Sequence, residues 1–324
     1  MSHKVLISAP YMQPEVDRFR AVFEEYDIEI VVPPVEERLE EEELLQWIGD
    51  MDGVICGDDR FTERVLNAAP NLKVVAKWGT GIDSIDQEAC RKRDIAVCNT
   101  PDAFSEPVAD TVIGYVLCFA RNLPWMDDAM KAGTWKKIDG FALREATLGV
   151  IGVGDVGKTV VQRAEAFGMR VFGNDRVPMP DSFLEACEVA MVDKQTLLQE
   201  SDFVSLNTDL NATSRHLVDA EALASMKEDA VLINASRGPV VDESALVDAL
   251  RSNSIRGAAL DVFEHEPLPE ENPLREMDSV MLAPHNANSS PEAWEHVHRN
   301  TIQNLFWELT GEAPSEKTLQ NLAQ

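Results

Sequence analysis

The sequence is poor in the features that mark a disulfide scaffold, a zinc site, a membrane span or a nucleic-acid partner. Its five cysteines, Cys56, Cys90, Cys98, Cys118 and Cys187, are odd in number, scattered and without a CxxC pair. Neither a disulfide framework nor a zinc site is indicated, and buried thiols are expected. Apolar runs stay short: Val112 to Ala120 is among the longest, far below the roughly 20 residues of a membrane helix. No basic segment precedes the apolar run Val5 to Ala9, which ends at Pro10, so it reads as a first strand rather than a signal peptide, and a cytoplasmic protein without a membrane partner is expected. Basic residues are also scarce, 29 against 57 acidic ones, a formal charge of −28. Phosphates would be repelled over most of such a surface, which argues against nucleic acid but leaves room for an anionic small molecule at a locally basic site. The acidity itself fits either a saline cytoplasm or a very soluble surface.

What remains is an ordinary globular composition, 44% hydrophobic and 27% charged over 324 residues, enough for two domains with real cores. The chain alternates short β-like runs with helical patterns. Val5–Ala9, Ile28–Val32, Gly53–Cys56, Lys73–Lys77 and Ile95–Cys98 are predicted strands, with helices over Glu15–Tyr26, Glu36–Ile48, Thr62–Ala69 and Ser84–Arg93. In the acidic helix Glu36–Ile48, Leu39, Leu44, Leu45 and Trp47 are expected to turn inward. Val108–Arg121 reads as an apolar helix between two sheet units, a candidate hinge and dimer contact. Alternation then resumes with strands at Arg170–Gly173, Phe203–Leu206, Ala230–Ile233, Ala258–Val262 and Val280–Ala283, helices at Lys194–Gln199, Ala220–Met226 and Glu243–Ser252, and a last helix over Pro291–Leu309. Such alternation predicts an α/β fold of two Rossmann-like, doubly wound parallel-sheet domains.

The most informative stretch is Ala146–Arg176. A strand-like run meets Gly152, Gly154 and Gly157, a helical pattern follows, and a second run ends at Asp175. This is the dinucleotide fingerprint: one glycine for the turn, one for close approach of a pyrophosphate, one for helix–strand packing, and an acid for the ribose hydroxyl. Asp175 would repel a 2′-phosphate and favours NAD, while the adjacent Arg176 keeps NADP open.

Ligands in such sheets bind beyond the carboxyl ends of the strands. Reading off those ends gives Gly79, Thr80, Gly81, Asn99, Asp175, Asn207, Arg237, Asp261 to Glu266, and His285. An arginine, a carboxylate and a histidine beside a nicotinamide suggest proton transfer on a carbon-bound oxygen: His285 as acid or base, Glu266 favouring its imidazolium, and Arg237 holding a substrate carboxylate in a fork. His3, His216, His265, His296 and His298 are assigned no chemistry.

The chain resembles the D-isomer-specific 2-hydroxyacid dehydrogenases over nearly its whole length. The resemblance is carried by GTGID (Gly79–Asp83), NTP (Asn99–Pro101), GVIGVGDVG (Gly149–Gly157), INASRGPVVDESAL (Ile233–Leu246), GAALDVFEHEP (Gly257–Pro267) and APH (Ala283–His285). It implies Arg237, Glu266 and His285 as catalytic residues, and cofactor contacts at Thr80, Asp155, Val156, Asp175, Thr208, Ala235, Arg237 and Asp261. Arg176 and His285 complete the candidate cofactor rim. Gly79, Thr80 and Gly81 are implied as a backbone cradle for the substrate, with Arg60 a further candidate. The same resemblance implies a substrate domain of residues 1–99 and 286–324, a cofactor domain of residues 100–285 inserted between them, and a cleft that closes over the site. Two segments depart from the family pattern, Asn286–Ser289 after the histidine and Asn207–Leu210 after a strand. The GTGID, NTP and MKAGTWKK segments look most like short 3-phosphoglycerate dehydrogenases, which makes 3-phosphoglycerate the leading substrate among 2-hydroxy acids. A homodimer is expected. A nucleotide-sensing corepressor on the same fold is the reading from another class.

Overall fold

The computed structural model describes residues 3–320. They form two compact units, residues 3–104 with 290–320, and Ser105–Ser289. Each is built on one parallel sheet.

The first sheet has five strands, β1 (His3–Ile7), β2 (Ile28–Val31), β3 (Gly53–Cys56), β4 (Val74–Lys77) and β5 (Ala96–Cys98), in the order β2-β1-β3-β4-β5. The second has seven, β6 (Thr147–Ile151), β7 (Arg170–Asn174), β8 (Val189–Met191), β9 (Phe203–Leu206), β10 (Val231–Asn234), β11 (Gly257–Leu260) and β12 (Val280–Leu282), in the order β12-β11-β10-β9-β6-β7-β8. Both orders reverse direction once, between β1 and β3 and between β6 and β9. These are the points where neighbouring strand ends part and leave a crevice.

The central strands are buried on both faces, as helices packed on either side of a parallel sheet require: β3, β4, β6, β9, β10 and β11 are buried at every residue. Continuous apolar runs are the signature of that environment and made these strands legible. The edge strand β8 is only three residues long and largely exposed, so it has no such run. It and the helix Asp181–Ala186 before it were not anticipated, nor was the helix Glu316–Gln320.

The acidic helix is shorter than expected, Glu41–Trp47. Glu40 stays outside it in an extended conformation, where its N–H donates to the Glu43 carboxylate at 2.9 Å. Leu39 and Leu44 are buried, and Leu45 and Trp47 pack against the same core. The apolar helix begins three residues earlier than predicted and runs Ser105–Arg121. It buries Ala109, Val112, Ile113, Val116 and Phe119 in the core of the second unit. Helix Pro291–Thr310 packs on β3, β4 and β5. Its His298 is buried and faces the Trp78 indole N–H at 2.9 Å; burial pushes the imidazole down to about 4. Of the cysteines, Cys56, Cys90 and Cys187 are buried, whereas Cys98 and Cys118 are partly exposed. No described helix is long and apolar enough to cross a membrane.

Candidate active site

The turn after β6 divides its glycines by task. Gly152 takes a φ of +86°, a left-handed conformation suited to glycine, and a Cβ there would collide with Asn207 at the end of β9. Gly157 lies in the first turns of helix Asp155–Ala166, so close to the Gly152 carbonyl that any side chain would overlap it. Gly154 is different: a Cβ built on it meets no protein atom within 4 Å. Two glycines therefore shape the turn, while the third leaves an open cradle at the start of a helix, where backbone N–H groups favour an anion.

Around that cradle, Asp175 follows β7. One of its carboxylate oxygens accepts the Val153 N–H at 2.7 Å and the other the Val177 N–H at 2.8 Å. The acid is thereby anchored to the turn itself. Arg176 points to Thr213, donating to its hydroxyl at 2.6 Å. Thr208, just past β9, has a buried hydroxyl oxygen with no hydrogen-bond partner among the described residues. A buried unsatisfied hydroxyl costs about 1–3 kcal/mol, so one beside an open phosphate cradle fits a bound dinucleotide. Asp155 and Val156 occupy the first turn of the helix, and Ala235 packs partly buried beyond β10.

The proposed acid–base group stands at the carboxyl end of the same sheet. His285 Nδ1 faces a Glu266 carboxylate oxygen at 3.0 Å, and the other Glu266 oxygen accepts the Phe263 N–H at 2.9 Å. Glu266 is thus fixed by backbone before it holds the ring. Asp261, expected at the cofactor, is buried, and its two carboxylate oxygens accept the N–H groups of Asn286 and Ala287, each at 2.9 Å. The Asp261 carbonyl takes the His285 N–H at 2.8 Å. The carboxylate is committed to holding the backbone that carries the histidine, which has a φ of +50°.

Arg237 follows β10 in a turn tied by Asn234. The Asn234 side chain donates to the Arg237 carbonyl at 2.9 Å and accepts from the Ser236 N–H and hydroxyl. Arg237 itself donates to the Ser236 carbonyl at 2.8 Å.

In the first unit, Gly79 has a φ of +118° and Thr80 donates its hydroxyl to the Thr100 carbonyl at 3.0 Å. Asn99 donates to the Thr80 carbonyl at 2.6 Å and Thr100 N–H to the Gly79 carbonyl at 2.9 Å. The Gly79–Gly81 turn is therefore pinned to the Asn99–Thr100 segment. Arg60 is half exposed and its charge is matched loosely by Glu40 at 3.9 Å.

One group that sequence reasoning passed over stands out. His216, set aside as the start of a helical region, pairs through Nε2 with Glu264 at 2.7 Å. Its partner lies in the same DVFEHEP loop as Glu266, and only that shared loop could have drawn notice to it.

An open turn at a helix start, an anchored acid and a histidine–carboxylate pair at the end of one seven-stranded parallel sheet fit a dinucleotide-dependent oxidoreductase. Comparison with known proteins gives the family. A family model for the D-isomer specific 2-hydroxyacid dehydrogenase NAD binding domain matches residues 113–287. A glyoxylate reductase from Thermofilum pendens is 38% identical over 280 residues, covering 84% of this chain and 83% of that protein. A D-3-phosphoglycerate dehydrogenase from Methanocaldococcus jannaschii is 37% identical over 326 residues, covering 99% of this chain; the chain spans 60% of that protein's length. The structure of an Aquifex aeolicus D-lactate dehydrogenase complexed with NAD and lactic acid superposes with a TM-score of 0.84 at 25% identity, covering 97% of this chain and all of that one. The chain belongs to the D-isomer-specific 2-hydroxyacid dehydrogenase family. It is an NAD-dependent oxidoreductase acting on CH–OH groups.

Proposed function

We propose that the protein interconverts a small D-2-hydroxy acid and its 2-keto acid, with His285, Glu266 and Arg237 as its catalytic residues. The observation that carries this reading is the His285–Glu266 pair at 3.0 Å, fixed by backbone on both sides, at the end of the sheet that bears the dinucleotide turn. When bound, NADH supplies the hydride that reduces the carbonyl carbon. His285 gives its Nε2 proton to the carbonyl oxygen as that oxygen gains charge, and takes it back in the reverse direction. Glu266 keeps the ring oriented and stabilises the imidazolium form that donates. Arg237 forks the substrate carboxylate and polarises the carbonyl. Relatives carry names for glyoxylate and phosphoglycerate substrates, and 3-phosphoglycerate heads our list of candidates.

The test is NADH oxidation against glyoxylate, pyruvate, hydroxypyruvate and 3-phosphohydroxypyruvate, with wild type and His285→Ala. Turnover of at least one acid is expected, falling about 10²- to 10⁴-fold in the variant while NADH still binds. NADH binding without turnover of any of the four would sink the proposal and favour a nucleotide-sensing protein.

We also propose a homodimer. Leu123, Met130, Trp135 and Ile138 are exposed close together in sequence, Trp135 at 87%, an apolar run of the kind that a second copy covers. Sedimentation should show a dimer that Trp135→Glu weakens; a monomeric wild type would contradict this.

A further inference from the structure

We infer that His216 is a positioning residue, a clamp that sets the Arg237 turn against the loop carrying Glu266. The inference rests on the roles proposed above for Arg237, Glu266 and His285.

His216 touches both segments at once. Its backbone N–H donates to the Pro239 carbonyl at 2.8 Å, two residues past Arg237. Its side chain meets Glu264 at 2.7 Å, two residues before Glu266. The neighbouring backbone extends the first hold: Val218 N–H donates to the Val240 carbonyl at 3.1 Å, and Asp242 N–H to the Val218 carbonyl at 3.0 Å. On the other side, Glu264 N–H donates to Glu243 at 3.1 Å, and the second Glu243 oxygen accepts from the Asn272 side chain at 2.7 Å.

The two clamped segments also lie directly on each other. A Cβ on Gly238 would overlap the Phe263 carbonyl and crowd the Glu264 nitrogen, so the backbone after Arg237 rests on the backbone before Glu266. Contact this close has no slack for a side chain, and a small shift of either segment moves Arg237 relative to the Glu266–His285 pair. His216 holds a φ of +51°, a left-handed conformation that histidine adopts more readily than most non-glycine residues. An ordinary half-exposed ion pair needs no second hold on the opposite segment. Because Nε2–H can donate to a carboxylate from the neutral ring as well as from the imidazolium, the clamp does not need a charged histidine.

A double-mutant cycle tests this on the intact protein with NADH and whichever 2-keto acid turns over fastest. His216→Ala should lower kcat roughly 10-fold, the scale expected when a reacting group is displaced by a fraction of an ångström, with the Kd for NADH within twofold of wild type. His216→Gln, which keeps a donor for Glu264, should recover most of that loss. The double variant His216→Ala/Glu264→Ala should be no slower than the worse single variant. A His216→Ala enzyme within twofold of wild-type kcat, or two losses that simply multiply, would overturn the clamp. If His216→Ala fails to fold, His216→Gln and Glu264→Ala decide together: a loss in Glu264→Ala with none in His216→Gln supports the clamp, and wild-type kcat in Glu264→Ala, or an equal loss in both variants, overturns it. His285→Ala run alongside separates the two readings, since an active His285→Ala enzyme refutes the proposed site rather than the clamp.

Discussion

The two sheets of this chain repeat one design and finish it differently. In the second, the crevice between β6 and β9 is kept open: Gly154 has no protein atom near its Cβ position, and the Thr208 hydroxyl lacks a partner. In the first, the crevice between β1 and β3 is filled by the chain's own carboxylate. Asp59 is fully buried there and accepts the Ser8 hydroxyl at 2.6 Å, the Leu39 N–H at 2.5 Å and the Gly57 N–H at 3.1 Å. Burial pushes its carboxyl above the usual range, against the pull of those bonds and of Lys77. A switch point gathers donors that want an anion. One sheet supplies the anion from within; the other, on the function proposed above, leaves the place for a phosphate.

That contrast can be broken from either side. Gly154→Val fills the open cradle and should have the largest effect, weakening NADH binding by at least ~100-fold, about 2.7 kcal/mol. Since a Cβ there meets no protein atom within 4 Å, the melting temperature should barely move, and calorimetry together with fluorescence titration would show both. Asp59→Ala strips the partner from three donors and should destabilise the first unit by about 2 kcal/mol, read by urea unfolding, while the Kd for NADH stays unchanged. A loss of NADH affinity in that variant would mean that the first crevice is not merely structural. Asp175→Ala sharpens the comparison at the rim. Removing the charge that opposes a 2′-phosphate should raise NADPH use relative to NADH by about 10-fold in kcat/KM, helped by Arg176 beside it.

Much of this was legible in the residues. Buried parallel strands are continuous apolar runs, so β3, β4, β6, β9, β10 and β11 could be read directly. Arg237, Glu266 and His285 stood out because each follows a strand that stops. Edge strand β8 escaped, since three exposed residues carry no apolar signal. The hold of Asp261 on the N–H groups of Asn286 and Ala287 was not legible, because backbone hydrogen bonds leave no trace in side-chain identity. His216 escaped because its side-chain partner, Glu264, lies 48 positions away in sequence.

The most direct measurement is a calorimetric titration of wild type, Gly154→Val and Asp59→Ala with NADH. The account predicts one NADH per chain for wild type and Asp59→Ala at the same affinity, and at least ~100-fold weaker binding for Gly154→Val. Two sites per chain, or undiminished binding by Gly154→Val, would contradict it.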